Sequence, residues 1–497
     1  MRAEAGTGDP APGGRVRSLA LASWACAVVA ATAAGCAGPS PASPPAPTPL
    51  GPAARFRGPV TQGHIVEPAS PTPVDLSAHG YVEQEFFASG VASAFRPEGP
   101  LGSDGKWSVR PVSPQPFKTR LVVRRPADPR RFNGTVLVEW LNVSGGLEAS
   151  PDFSYLADQI LRGGYAYVGV SAQALGVEGG PGILGVGPGG GAGLKAQEPR
   201  RYGTLHHPGD RYSYDIYAQV ANGLWVSRQP AVLGPLRPKR VVAVGESQSG
   251  FYLTTFADAV QPVRHSFDAF FIHSRGGSAA PLEAGSILSA RAVPAARIRD
   301  DLDVPVFVFE TETDVGPLLD YGSARQPDTD RFRAWEVAGT AHADAYLVGS
   351  VAGQLGCKWS INQGPEHYVA VAALDALQRW LTEGRSPPRA TPIELSSTSP
   401  PRVARDRLGN ALGGVRTPAV DVPVATLSGE APPGASPLCS LFGQTVPFSP
   451  ETLRHLYGSR AAYLAAYRRD LDRTIRAGFL LGADRRSLLD EAERVSF

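Results

Sequence analysis

The sequence predicts an α/β chain: a doubly wound, mostly parallel sheet with helices on both faces, followed by a C-terminal lid or side-packing subdomain. Three observations carry that expectation. From about residue 78, short β-branched runs alternate with stretches of helical periodicity, the rhythm of a parallel sheet flanked by helices. The clearest helical stretches, 151–164 and 367–384, end in glycine, the residue a left-handed helix cap favours. After Pro388 the rhythm gives way to short strands, loops and terminal helices.

Residues 1–36 are expected to be an export signal outside the fold. Arg15 and Arg17 precede the apolar run LALASWACAVVAATAAG (19–35), and a basic segment, an apolar segment and a small-residue site in that order mark a leader. The run falls short of the ~20 residues that span a bilayer. Ala-Ala-Gly-Cys ending at Cys36 resembles a bacterial lipobox, with Ala33 where leucine is usual. Lipidation of Cys36, with membrane attachment, and plain secretion both stay open. Residues 37–58 read as a Pro/Ser/Ala-rich linker and 59–497 as the folded domain, with a core of about 78–388 and an extension of about 389–497.

Within the domain, FKTRLVVRRP (117–126) and TVLVEWLNV (135–143) read as two strands joined through a turn at Asn133-Gly134, an antiparallel start. PDFSYLADQILRGG (151–164) reads as a helix. YAYVGVSAQ (165–173), a helix around 214–225, RVVAVG (240–245), the helix FYLTTFADAV (251–260), FDAFFIH (267–273), VPVFVFE (304–310) and FRAWEVAG (332–339) follow. The core closes with the helix HYVAVAALDALQRWLTEG (367–384). A glycine-rich stretch at 176–199 lacks the Gly-Lys-Ser/Thr ending of a phosphate loop and reads as a flexible insertion by the cleft. At Ser449, Ser-Pro-Glu supplies a cap, a proline and an acid in the order that starts a helix.

Composition excludes some functions. With 497 residues and 42% hydrophobic content, the chain can bury a large core. Its formal charge is only +2, from 48 basic and 46 acidic side chains, so no net field gathers nucleic acid. Cys26 and Cys36 fall in the leader, leaving Cys357 and Cys439; in an oxidising compartment such a pair reads as one disulfide. No Cys/His cluster has metal-ligand spacing, so a structural zinc is not indicated.

The chemistry concentrates in RVVAVGESQSG (240–250). A nucleophile elbow places serine on a sharp strand-to-helix turn and needs small residues two places to either side. Ser247 has Gly245 and Ser249 there; Ser249 has Ser247 and the bulky Phe251, so Ser247 is the expected nucleophile. A serine hydroxyl needs a base, normally a histidine steadied by a carboxylate. His342, in the loop after the last strand, has that position; His273, at a strand end, is the runner-up. The acid should lie in ETETDV (310–315). Asp314 is favoured over Glu312 because it falls further past the strand end, although the sequence does not decide between them; the other carboxylate would hold the loop or bind Arg325 or Arg331. Oxyanion donors are expected from the backbone N–H of Gln248 and from the amides clustered at Asn142, Val143, Ser144, Gly145 and Gly146, of which Asn142 is the one named.

Taken in order, these motifs resemble the α/β-hydrolase superfamily. VEWLNVSGGLEASPDF, YVGVSAQ, GESQSG, ETETDV, WEVAGTAHAD, DRLGNALGGVRTPAVDVPVA and CSLFGQTVPF are together similar to the group called alpha/beta hydrolase domain proteins, from about residue 60 to the C-terminus. The resemblance implies an α/β-hydrolase fold, no cofactor, and Ser247 and His342 as nucleophile and base; it names no substrate. Ser249 departs from the superfamily's second glycine. The expected activity is a secreted or lipid-anchored serine hydrolase acting on small-molecule carboxylic esters through an acyl-serine. An acyltransferase or peptidase would use the same residues, and a non-catalytic exported binding protein would keep the scaffold. Oligomeric state is not legible.

Overall fold

Nine strands form one sheet in the computed structural model, which describes residues 51–69, 74–184, 191–226, 232–283 and 293–497. They are β1 (Arg55–Arg57), β2 (Tyr81–Pro97), β3 (Val109–Pro126), β4 (Thr135–Trp140), β5 (Ala166–Val170), β6 (Arg240–Glu246), β7 (Ala269–His273), β8 (Val306–Thr311) and β9 (Phe332–Val337). Their order is β1-β2-β3-β5-β4-β6-β7-β8-β9. β1, β2, β3 and β5 pair antiparallel, and β5 through β9 run parallel. The leader and Cys36 lie outside the described residues.

Strands covered on both faces read as continuous apolar runs, and every residue of β4, β7 and β8 is buried. Side chains alternate between faces. Val136, Val138 and Trp140, with Val241 and Ala243, join one core; Leu137, Val242 and Val244 join the other. On the first face lies α2 (Ser213–Val226), whose Tyr214 and Tyr217 rings meet Trp140 at 5.8 and 5.0 Å between centroids. On the second lie α1 (Pro151–Gly163), capped by Gly164 in the left-handed region, and α5 (Glu366–Glu383), capped by Gly384 in the same way. Between them in the chain come α3 (Gln248–Thr255), on the first face, and the short α4 (Glu312–Val315).

Two features differ from the sequence reading. The 117–126 and 135–143 strands are not a hairpin: Asn133 N–H donates to Gly164 O, and β5 inserts between β3 and β4. The partner of β3 is β2, a long strand that β-branched content did not reveal. β2 carries Glu85, which is 1% exposed, and an acid at a buried strand position hides the alternation. Arg120 and Arg201 hold it with N–O distances of 3.1 and 2.5 Å. The fold also starts before residue 59, because Arg55–Arg57 add to the edge of β2.

The C-terminal extension packs beside the sheet. Tyr463, Tyr467 and Leu471 of the helix α7 (Arg460–Ala477), which follows α6 (Pro450–Tyr457), share the core of α1 and α5. Leu488 and Leu489 of α8 (Arg485–Glu493) join it, and Trp335 Nε1–H donates to Pro388 O at 2.8 Å. Ser449 caps α6 as expected, accepting from Thr452 N–H at 3.1 Å. No helix among the described residues is long and apolar enough to cross a membrane.

Cys357 and Cys439 are joined as a disulfide across a sequence separation of 82. Closing so long a loop restricts the unfolded chain. The double variant Cys357→Ser/Cys439→Ser should lose about 2–4 kcal/mol in urea unfolding, and an unchanged midpoint and slope would contradict that account.

Candidate active site

The turn between β6 and α3 holds one residue, Ser247, at φ 58° and ψ −123°. That conformation costs a side-chain-bearing residue about 1–3 kcal/mol, so its surroundings must enforce it. Ser247 N–H donates to His273 O at 3.0 Å. The small neighbours are required by contact: a Cβ on Gly245 would lie 3.0 Å from Ser249 Cβ and 2.9 Å from Leu253 Cδ1. One on Gly250 would lie 2.7 Å from His273 O. Ser249 itself is fully buried and its hydroxyl has no hydrogen-bond partner, while Ser247 is only half-buried. Of the two serines, Ser247 is the more accessible.

Three residues separated in sequence meet there. Ser247 Oγ lies 2.7 Å from His342 Nε2, and His342 Nδ1 lies 2.6 Å from Asp314 Oδ1. The other oxygen of Asp314 accepts from Thr311 N–H at 2.6 Å, and from the Thr311 and Ser274 hydroxyls at 2.7 Å each. Burial alone would raise the Asp314 carboxyl; His342 and the hydrogen bonds outweigh it, so the group sits below the usual carboxylate range. Burial likewise works against the charged imidazole, yet Asp314 and then Glu246 overcome it and raise His342 above its ordinary value.

Glu312, the competing acid, does not reach the imidazole. It joins the loops around it: Oε1 accepts from Gly339 N–H at 2.6 Å, Oε2 from Gly429 N–H at 3.0 Å, and Arg405 lies 3.1 Å away. Arg325 pairs instead with Glu336 at 2.5 Å, and the Arg331 side chain donates to Asp303 O. Thr313, between the two acids, accepts from His342 N–H at 3.1 Å and donates to Gly429 O at 2.6 Å. His273, the runner-up base, is fully buried between Asp152 at 2.9 Å and Glu366 at 3.0 Å. Its ring nitrogens are occupied away from Ser247.

Gln248 N–H opens α3 and has no hydrogen-bond partner among the described residues. Asn142 is a correction. Its backbone N–H donates to Ala149 O at 3.0 Å and its side-chain amide to Glu246 O at 3.2 Å, so the expected oxyanion donor is already committed. The next amide, Val143 N–H, faces α3, where it donates to the Gln248 side-chain oxygen at 3.2 Å.

Thr311, Thr313, Ser274 and Glu246 escaped the sequence reading. Only Thr311 had a local signal, since Thr-Glu-Thr-Asp fits a capping box. Among the described residues, no group of three or more His, Cys, Asp or Glu could hold a metal ion.

A family model described as alpha/beta hydrolase domain matches residues 56–490. Among solved structures, the chain is similar to a glucuronoyl esterase from Solibacter usitatus, at 12% identity and TM-score 0.28, over 57% of this chain and 82% of that one. Fungal esterases from Rhizomucor miehei match at 12% identity and TM-score 0.33, over 61% and 85%. An α/β serine hydrolase without lid from Xanthomonas campestris matches at 13% identity and TM-score 0.28, over 59% and 96%. No curated protein matches.

Replacing Glu312 tests its bracing role. Glu312→Ala leaves two backbone donors and a guanidinium without their acceptor, and should cost about 2–4 kcal/mol in chemical denaturation. Glu312→Gln, which keeps an acceptor and the volume, should lose less; equal stability of the alanine variant and wild type would refute the role.

Proposed function

We propose that this chain, which belongs to the alpha/beta hydrolase domain family, hydrolyses carboxylic esters of small molecules through an acyl-serine on Ser247. The observation that carries the reading is the unbroken hydrogen-bond chain from Ser247 Oγ through His342 to Asp314, at 2.7 and 2.6 Å. Family and fold support a hydrolase without naming its substrate.

The reaction follows from that chain. Ser247 Oγ passes its proton to His342 Nε2 and bonds to the ester carbon, whose carbonyl oxygen becomes an oxyanion. Gln248 N–H, at the positive end of α3, donates to it. Val143 N–H donates as well once the Gln248 side chain gives way, the role first expected of Asn142. Collapse breaks the bond to the alcohol, which leaves with the proton from His342. Water then repeats the sequence: its proton goes to His342, its oxygen bonds to the acyl carbon, and the acid departs as Ser247 regains its proton. Asp314 holds the imidazole throughout and steadies its charged form.

The proposal extends to location. The leader at 1–36 and the disulfide between Cys357 and Cys439 suit an exported protein, either secreted or held by a lipid on Cys36. The mass of the mature N-terminus distinguishes the two.

Turnover of p-nitrophenyl esters of graded acyl length tests the chemistry. Ser247→Ala should lower kcat by about 10⁴–10⁶-fold and Asp314→Asn by about 10³–10⁴-fold. A fluorophosphonate should add to Ser247 in wild type alone. Equal rates in wild type and Ser247→Ala would remove the mechanism, and a folded protein that takes no adduct would favour a binding role.

The pH profile gives a second test. His342 must be neutral to accept a proton, and its raised affinity for one places the acid limb of kcat/KM at a midpoint above the ordinary imidazole value of about 6.5. A midpoint below that value would contradict the electrostatic account.

A further inference from the structure

Glu246, between Gly245 and Ser247, has a side chain the triad does not use. It is 4% exposed, yet its Oε1 lies 3.6 Å from His342 Nε2. Its Oε2 receives the Asn142 side-chain amide at 3.4 Å. Asn142 therefore holds this carboxylate, and its backbone carbonyl at 3.2 Å, against the imidazole. A buried carboxylate is costly to ionise, so placing one beside the ring nitrogen that takes up and releases protons calls for a physical account.

The groups around Glu246 come from four elements. His342 stands on the loop after β9, His273 on β7, Asp152 on α1 and Asp314 on α4. Both imidazoles favour the carboxylate; both aspartates oppose it. Asp152 is itself hydrogen-bonded to His273, and Asp314 to His342. Tyr155 of α1 also feels the Glu246 charge, though its hydroxyl bonds to Asp344 at 3.1 Å. The arrangement puts carboxylates on both sides of one ring, Asp314 at Nδ1 and Glu246 near Nε2.

We propose that Glu246 is a positioning residue that acts through His342, its carboxylate favouring the protonated imidazole from the Nε2 side while Asp314 does so from Nδ1. The inference rests on the acyl-serine reading and deepens it. Glu246 neither gains nor loses a proton in the step: the serine proton goes to Nε2 and from there to the departing alcohol. At 3.6 Å the carboxylate is beyond strong hydrogen-bond range, so it attracts the charged ring without displacing Ser247 Oγ. Burial pushes the Glu246 carboxyl up to about 7, against the pull of His342 and His273. It therefore ionises near neutral pH, and once ionised it favours the charged ring.

Removing the charge has a signed consequence. Without the nearby anion, the imidazolium is less favoured, so His342 loses its proton at lower pH; the same loss destabilises the imidazolium of the transition state. The experiment is the pH dependence of kcat/KM with p-nitrophenyl acetate, from about pH 5 to about pH 9, for the full chain as wild type, Glu246→Gln, Glu246→Asp and Ser247→Ala, with a thermal melt of each. For Glu246→Gln the acid limb should move down by about one pH unit and the alkaline plateau should fall by about tenfold. Glu246→Asp keeps the charge at shorter reach and should place the limb between the two. A purely structural role would lower the rate without moving the limb.

An acid limb of folded Glu246→Gln at or above the wild-type position overturns the inference. Should the glutamine variant melt below the assay temperature, Glu246→Asp decides: a limb below wild type supports the proposal, and one at or above it refutes the proposal. A dead Ser247→Ala with an unmoved limb overturns this inference alone. Equal activity in wild type and Ser247→Ala overturns it together with the acyl-serine reading.

Discussion

The site depends on keeping one carboxylate ionised in a place without solvent. Asp314 is fully buried, where an unpaired anion would cost several kcal/mol. Four donors from three segments compensate: His342 Nδ1–H, Thr311 N–H, and the hydroxyls of Thr311 and Ser274. With its acceptor sites so engaged, the carboxylate stays charged and the His342 ring is held in a single tautomer, the proton on Nδ1 and the lone pair of Nε2 toward Ser247. Loss of any one donor would weaken that selection; loss of the carboxylate would remove it.

The parallel sheet explains why these segments meet. β6, β7, β8 and β9 are neighbours and point the same way, so the residues beyond their C-terminal ends lie along one edge. Ser247 follows β6, Ser274 follows β7, Asp314 follows β8 by three residues, and His342 follows β9. Each stands at a strand end whose side chains are anchored in two cores. Crevices beyond the carboxyl ends of parallel strands are where ligands bind in such sheets.

How much of this the sequence revealed depends on whether the cause is local. The elbow was legible because Gly245, Ser247 and Ser249 must fit within one turn, and steric exclusion acts over a few residues. The order of serine, acid and histidine was legible because each follows its own strand. Glu312 against Asp314 was not, since what separates them is Gly339 and Gly429, 27 and 117 positions from Glu312. Asn142 was misread for the same reason: the loop closes onto Ala149, a pairing that no spacing rule announces. β2 escaped because Glu85 is satisfied by arginines at 120 and 201, so a polar residue at a core position was compensated from a distance.

The C-terminal extension also belongs to the site in a physical sense. Residues 429–443 run between two paired strands, Ala425–Ser428 and Gln444–Pro447, and touch the loops that carry Asp314 and His342. Gly429 takes the Glu312 carboxylate and the Thr313 hydroxyl. Leu441 O accepts from Ala343 N–H at 3.1 Å, and Phe442 O accepts from Asn362 N–H at 2.8 Å. Gly443 lies so near Ala341 that a Cβ on it would stand 2.9 Å from the alanine methyl. His342 is thus flanked by two residues fixed against the extension, and its own N–H is held by a threonine that the extension also grips. The disulfide between Cys439 and Cys357 anchors that segment. Because the histidine loop is made of small residues, which pack weakly by themselves, its rigidity has to be supplied from outside. The sheet fixes where the strands end, the extension holds the backbone on either side of His342, and Asp314 holds the ring.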